Sequence, residues 1–562
     1  MRGLPVIYPF IVNNPGEAAA AKRRLGALTL GHLTPPLMRA GLHGEAAALE
    51  RLIDDYAAAS GLDRERARHL RREILARARS SGLAAEAGCA DSAREDELLA
   101  KLDAYLCDIK DRLIGDGLHV FARAPAQRGA LLAALREAAP TIGEAEIAAR
   151  LDASAPHEAR NFLAALDGRF IPPGPAGAPS RGRVDVLPTG RNIISLDPRA
   201  IPTRAAVALA EKHAASLLED HLRRHGAWPK RLVIDLWGSA TMRTGGEAFA
   251  LALVLLGARP LWDAGSHRVN GIAVLALAEL DRPRIDVTLR ISGLFRDAFA
   301  TQIALFDDAV TMIAARDEDA AWNPLAAHAR QSEAVRRIYG PAPGVYGLAL
   351  GDLGNPETGS AEFGLTYLAQ SAFAYGTGQD GLADQAGLAA RIAGADGYFH
   401  IADHNEHDVL ADDEIAAHAG GFAAAAALLG ASPALHYARP AAGGLRVASL
   451  AEEIAQVTRA RAANPRWIAG QMRHGYRGAA EIARAISPLS LFAMTLPSRF
   501  DRQFDLLFAA TLGNPDVDAF LAAANGEARR ALAARFAAMR ARDLWRSRRN
   551  DVGEILSGIL EP

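Results

Sequence analysis

The run Leu232-Val233-Ile234-Asp235-Leu236-Trp237-Gly238-Ser239-Ala240-Thr241-Met242-Arg243-Thr244-Gly245-Gly246-Glu247 decides the fold class. Its first three residues are a short apolar run of the kind that forms a buried strand. The polar, glycine-containing segment after them ends where an apolar helix, residues 247–256, is predicted to start, and Gly257 stops that helix. Further on, Ile285, Val287, Leu289 and Ile291 alternate with Asp286, Thr288 and Arg290, which predicts a second strand. Strand, loop, helix and strand in that order predict a crossover unit on one shared sheet. Open α/β sheets bind ligands beyond the C-terminal ends of their strands, so residues 235–247 and Arg290, Ser292, Gly293, Arg296 and Asp297 are expected to face one crevice. A cleft lined by Asp235, Arg243, Glu247, Arg290 and Arg296 suits a substrate that carries carboxylates. The same spacing equally suits Glu247 complementing its helix dipole and the arginines pairing with Asp235 and Asp297.

Working outward, residues 1–166 read as a mainly helical domain: Leu49, Leu52, Ile53 and Tyr56 share one helical face, and Leu98, Leu102, Leu106, Ile109 and Leu113 another. Leu118 to Phe121 reads as a strand. Residues 171–183, rich in proline and glycine, read as a long loop or boundary, after which Val184 and Val186 alternate. Residues 167–300 form the α/β region. Residues 301–562 are expected to be mainly helical and to complete the pocket, with Phe295, Phe299, Phe306, Val310 and Ile313 on one side of a helical stretch. Ser449 and Glu452 form a capping box, and Asn464-Pro465 stops the helix that the box opens. The predicted fold class is therefore mixed α/β and multidomain, with a helical N-terminal part, a central α/β sheet region and a mainly helical C-terminal part.

The chain has 562 residues, too many for one hydrophobic core. Its 63 Lys and Arg nearly cancel 65 Asp and Glu, which leaves no global basic field to hold nucleic acid or an anionic membrane. The apolar run 248–258 is about half the length that crosses a bilayer. Residues 4–12 are interrupted by Pro5 and Pro9 and precede no signal cleavage site. Cys89 and Cys107 lie in no CxxC pair and read as free thiols. A cytoplasmic protein is expected, with neither nucleic acid nor membrane as partner. No phosphate loop, dinucleotide fingerprint or HExxH is present, so no ATP site is expected in this chain.

Two further clusters carry chemistry. Residues 395–421 hold His400, Asp403, His404, Glu406, His407, Asp408, Asp412, Asp413 and His418. On a helix, His400, His404 and His407 would share a face that accepts Co²⁺ or Zn²⁺, while the crowding of Asp, Asn and Glu reads instead as a polar turn; His404 and His407 are the candidate metal ligands. Arg473-His474-Gly475-Tyr476-Arg477-Gly478-Ala479-Ala480-Glu481 is a glycine-bracketed loop opening a helix. Its backbone donors with Arg473 and Arg477 suit an anion, and His474 suits proton transfer; a helix cap with a surface histidine is the alternative.

Tyr8-Pro9-Phe10-Ile11-Val12-Asn13-Asn14-Pro15-Gly16-Glu17 through Arg24, Leu187-Pro188-Thr189-Gly190-Arg191-Asn192, and the segments 235–247, 282–297 and 473–481 together resemble the large, tetrapyrrole-binding subunits of the cobaltochelatase and magnesium chelatase family. The match runs in order along nearly the whole chain, and 244–247 and 474–481 look like the cobalt version. The resemblance implies an ATP-dependent ligase complex of aerobic cobalamin biosynthesis that inserts Co²⁺, the substrate metal, into hydrogenobyrinic acid a,c-diamide. It also implies partners: an AAA+ ATPase subunit that binds ATP and Mg²⁺, and a subunit with an integrin-like domain. In that setting Glu247 and His474 are the expected catalytic groups, and Arg243, Arg290, Arg296, Arg473, Arg477 and Asn192 the expected substrate-binding groups. Insertion of Mg²⁺ into protoporphyrin IX is the alternative enzyme, and a tetrapyrrole carrier or docking scaffold the non-enzymatic one. A His-Gly-Thr-Leu-Glu segment of the family, expected just before the point matching Leu4, has no counterpart here, so the chain reads as the C-terminal half of the family pattern. Residues 339–376 carry no family motif.

Overall fold

Arg231–Leu236 forms a strand that is buried on both faces from Leu232 onward, because Leu232, Val233, Ile234 and Leu236 put apolar side chains on each side of the pleat. It lies in the middle of an eight-stranded sheet in a computed structural model that describes residues 5–89, 94–125, 127–194, 196–331, 335–348, 359–441 and 444–561. The sheet order is Gln379–Ala383, Phe373–Gly376, Ile338–Gly340, Asp286–Ile291, Arg231–Leu236, Gly397–Ile401, Ala434–Ala441, Gly444–Ser449. From Ile338–Gly340 to Ala434–Ala441 the neighbours run parallel; at both edges antiparallel strands follow. The chain starts this parallel set in the centre, steps one way to Asp286–Ile291 and Ile338–Gly340, then returns to the other side with Gly397–Ile401 and Ala434–Ala441. That reversal leaves a topological switch point between Arg231–Leu236 and Gly397–Ile401, where a crevice opens between diverging connections.

Leu232, Ile234 and Leu236 face one core, shared with Val287, Leu289, Phe249 and the expected stripe of Phe295, Phe299, Phe306, Val310 and Ile313. The helices Glu247–Leu256, Arg204–His225 and Ala300–Ala314 cover this face. Val233, Tyr398 and Tyr437 point to the opposite core. In the predicted second strand the polar alternate residues are buried as deeply as the apolar ones. Asp286 accepts from Arg337 at 2.6 and 3.0 Å and from Arg391 at 2.8 Å, and Arg391 also donates to Thr288 at 2.7 Å. Period-two alternation here marks an internal charge network rather than a solvated face, since the ions satisfy one another.

Several expectations are corrected. The segment after Asp235 is not an open loop: Gly238–Thr244 is a helix, joined to Glu247–Leu256 by Gly245 and Gly246, both with positive φ. A side chain at Gly246 would lie 2.5 Å from Ile201, so the double glycine is needed for the close pass. Leu118 to Phe121 forms no strand; Glu158 captures this stretch through His119 and the Ala122 amide. Val184–Val186 is a 3-10 turn that packs inward. The sheet continues past residue 300 to Ser449, beyond the point where a helical region was expected to begin. Nor do the helices between residues 44 and 111 close off a core of their own: Leu49, Ile74 and Leu102 lie in the same cluster as Ile454, Phe504 and Trp545, whereas Leu131, Leu135, Ile147 and Leu151 share a separate one with Val184 and Val186. Within residues 339–376, residues 349–358 lie outside the described residues. Among the described residues no helix is long and apolar enough to cross a membrane.

Candidate functional site

The connections that diverge at the switch point leave a cleft of about 760 Å³. Its walls are the end of the Ala434–Ala441 strand (Tyr437, Arg439), the 402–408 loop, the Arg204–His225 helix (Lys212, His213), Ser180 with Arg181, and the N-terminal helix Glu95–Asp111. A small recess of about 30 Å³ lies directly over the two strand ends, lined by Asp235, Trp237 and His400, and shares Ala402, His407 and Tyr437 with the cleft. This is the edge at which an open α/β sheet places its ligand.

Asp235 is the fixed charge of the recess. Its carboxylate accepts from Trp237 Nε1 at 2.5 Å and faces Arg290 and His418 at 3.5 Å and His400 at 3.4 Å. Burial alone would raise its pKa, but His418, His400 and Arg290 together hold it well below the usual carboxylate range. His418 is pushed down to about 4 by burial and by the Arg290 guanidinium, so it stands neutral against that arginine. The effect is to aim Trp237 and His400 at the recess on a rigid, ionised post.

The loop after Gly397–Ile401 supplies the imidazoles of the cleft. His404, pushed down to about 4 mainly by burial, is a neutral ring with Nδ1 3.2 Å from Glu406. His407 goes the other way: burial lowers it, but the hydrogen bond and charge of Asp412 outweigh that and raise it. Two histidines three residues apart are thus tuned to different tasks, one suited to a metal or a weak acceptor and one to holding a proton. Arginines surround them. Arg181 donates to both carboxylate oxygens of Glu247 (2.6 and 2.7 Å) and to the Asp403 carbonyl (2.9 Å). Arg112 pairs with Glu453, yet its Nη1, like Nε of Arg439, is buried with no hydrogen-bond partner among the described residues.

The sequence-predicted residues divide between places. His404 and His407 line the cleft, on a loop rather than a helix. Glu247 is reached from the cleft through Arg181. Arg243 sits behind Asp403, bonded to it and to the Asn13 carbonyl, and Arg290 sits behind Asp235. The other residues are not brought to this cleft. Arg296 pairs with Asp297 and holds the carbonyls of Pro341, Ala342 and Val345, which fixes that loop. Asn192 accepts from Lys22 at 2.6 Å. Arg473 binds Asp116, Arg477 binds Glu481 on its own helix, and His474 Nε2 accepts from the Leu118 amide at 2.9 Å. The glycines there serve the turn: Gly475 takes a φ of +50°, and Gly478 allows close packing, since a Cβ there would fall 1.8 Å from the Gln471 carbonyl oxygen. Sequence reading did not single out Arg181, Arg112, Arg439 or Lys212, which carry no motif and converge only in three dimensions, nor did it assign Asp235, His400 and His418 to one cluster.

The family profile CobN/Magnesium Chelatase matches residues 1–141 and 136–552. The aerobic cobaltochelatase subunit CobN of Sinorhizobium sp is 38% identical over 99% of this chain and 53% of its own length, and that of Pseudomonas aeruginosa is 38% identical over 96% and 52%. A magnesium-chelatase subunit of Rhodobacter capsulatus is 32% identical over 86% of this chain and 40% of its own. The solved catalytic subunit of cobaltochelatase from Mycobacterium tuberculosis superposes with a TM-score of 0.93 at 34% identity, covering 99% of this chain and 54% of that one. The chain therefore spans about half the length of these cobaltochelatase relatives. With the profile covering nearly all of the chain and the fold matching at this level, the chain belongs to the CobN/magnesium chelatase family.

Proposed function

We propose that this chain contributes the tetrapyrrole-binding cleft of an ATP-dependent cobaltochelatase, in which Co²⁺, as substrate, replaces the inner N–H proton of hydrogenobyrinic acid a,c-diamide. The observation that carries the reading is the cleft itself: about 760 Å³ at the switch point, with differently tuned imidazoles in a wall that also carries Arg112, Arg181 and Arg439. Peripheral carboxylates of the ring pair with the guanidinium groups of Arg112 and Arg439, both of which line the cleft. Neutral His404 takes the incoming cobalt, because a borderline divalent ion favours an unprotonated imidazole. His407 with Asp412 accepts a ring proton, the carboxylate stabilising the imidazolium that forms. Glu247 acts indirectly by orienting Arg181 at the cleft wall. His474 and Arg473 order the turn at Asp116 from outside, and Arg477 stays on its own helix with Glu481. ATP and Mg²⁺ belong to an AAA+ partner, with an integrin-like-domain subunit completing the complex. The greater similarity to the two CobN proteins than to the magnesium-chelatase relative supports cobalt over magnesium.

The test is an absorbance titration of the purified chain with hydrogenobyrinic acid a,c-diamide and, in parallel, protoporphyrin IX. Tighter binding of the corrinoid is expected, weakened roughly tenfold by Arg439→Ala, equivalent to about 1.4 kcal/mol. Equal affinity for the two rings, or binding indifferent to Arg439, removes the cleft assignment.

A further inference from the structure

A second group of histidines lies outside the cleft. His221 and His225 are four residues apart at the end of the Arg204–His225 helix and so share one face, with ring centroids 4.4 Å apart. His436, on the Ala434–Ala441 strand beneath, places its ring 5.7 Å from His221 and 6.3 Å from His225. One nitrogen from each ring lies within 4.8 Å of the others. His221 and His436 are buried, and His225 is exposed. Nδ1 of His221 and both ring nitrogens of His436 are buried atoms without a hydrogen-bond partner among the described residues. A histidine buried only as packing is expected to find an acceptor for its N–H, and His436 finds none among the described residues.

We propose that His221, His225 and His436 form a binding site for a borderline divalent transition-metal ion, separate from the cleft. Three neutral imidazoles suit Zn²⁺, Co²⁺, Ni²⁺ or Cu²⁺ and disfavour Mg²⁺, which demands oxygen ligands. Binding at about 2.0–2.1 Å draws the three nitrogens together by small side-chain rotations and occupies the lone pairs that are otherwise idle. The exposed His225 gives the ion a path from solvent and leaves a coordination position for water. The surrounding charges are largely spent on each other: Arg224 donates to Asp220 at 2.9 Å and to Glu452 at 3.2 Å, and the Asp396 carboxylate accepts the amides of Lys230 and Arg231. The arginine beside the site therefore opposes the metal only weakly. The same helix lines the cleft at Lys212 and His213, so the ion sits about 15 Å along the helix axis from that part of the cleft wall. An ion here pins the helix end to the strand that carries Tyr437 and Arg439.

The experiment is a Co²⁺ titration of the metal-stripped full chain, read by its visible d–d absorption, with Zn²⁺ displacing it. The wild-type chain is expected to take up one equivalent of ion at this site with a tetrahedral spectrum. His225→Gln, on an exposed ring that the fold does not need, weakens uptake roughly tenfold or more, and His436→Gln does the same. His404→Gln, which removes the cleft imidazole assigned to cobalt, leaves this spectrum unchanged. The proposal is overturned by absence of uptake at stoichiometric Co²⁺ and Zn²⁺, by undiminished binding in His225→Gln, or by loss of the spectrum in His404→Gln instead. A far-UV circular dichroism melt of the metal-free variants checks that they fold, and His225→Gln alone decides the matter if His436→Gln does not fold.

Discussion

Arg181 joins three parts of the chain that are far apart in sequence: the proline-rich loop it comes from, Glu247 at a helix start and the carbonyl of Asp403. Arg181→Ala leaves Glu247 buried without its cation, a loss of about 3–5 kcal/mol. Urea denaturation is expected to show that loss, and Glu247→Gln in the same background is expected to recover part of it, since a neutral amide tolerates burial better. Titration of the cleft histidines gives a second residue-scale outcome. His404 and His418, each near 4 when folded and about 6.5 when unfolded, bind fewer protons in the native state between those values, so stability rises with pH there. Each contributes on the order of 3 kcal/mol that is lost as pH falls from 6.5 towards 4. His407 has the opposite sign, for its raised pKa gives stability at low pH that disappears as pH rises through the folded value. Comparing urea midpoints of wild type and His407→Gln across this range checks both: the acid-side loss persists in the variant and the alkaline-side loss is gone. At this scale the sequence showed Glu247, His404 and His407 as chemistry-bearing residues, but not that Glu247 answers to Arg181, because nothing in a loop of prolines and glycines announces where one arginine will point.

Elements were legible where a single period governed the residues. The Glu247–Leu256 helix and its Gly257 stop, the Asp286–Ile291 strand, and the Ser449–Glu452 capping box all stand as read. Strands further on escaped notice because their residues are mixed: Gly397–Ile401 carries His400 among aromatics, and Ala434–Ala441 is broken by His436, Arg439 and Pro440, so neither runs apolar nor alternates. Tertiary pairing, not local pattern, makes them strands. The turn between Pro465–Met472 and Gly475–Arg484 is the clearest case of a motif whose meaning is packing. Gly478→Ala drives a methyl into the Gln471 carbonyl and forces the two helices apart, at about 1–3 kcal/mol. Thermal melts are expected to show this, and Arg477→Ala, an exposed i,i+4 partner of Glu481, is expected to change stability by less than about 0.5 kcal/mol.

At the scale of the whole molecule, composition announced several cores but not how the chain shares them. Leu49, Ile74 and Leu102 belong to the same apolar cluster as Ile454, Phe504 and Trp545, a union no local pattern encodes. Residues 1–166 expressed alone are therefore expected to expose this apolar surface and to be digested rapidly by trypsin under conditions in which the full chain resists; a protease-resistant fragment would show that the early helices hold together unaided. The central sheet has a further consequence, in time rather than in space. Val233 pairs on one side with Thr288 and on the other with Tyr398, which the ribosome delivers much later. At about 5–20 residues per second, that flank of the strand waits on the order of ten to thirty seconds for its neighbour during translation. A nascent chain of this kind carries an open hydrogen-bonding edge throughout the delay, which makes it a natural client for chaperones that shield such edges.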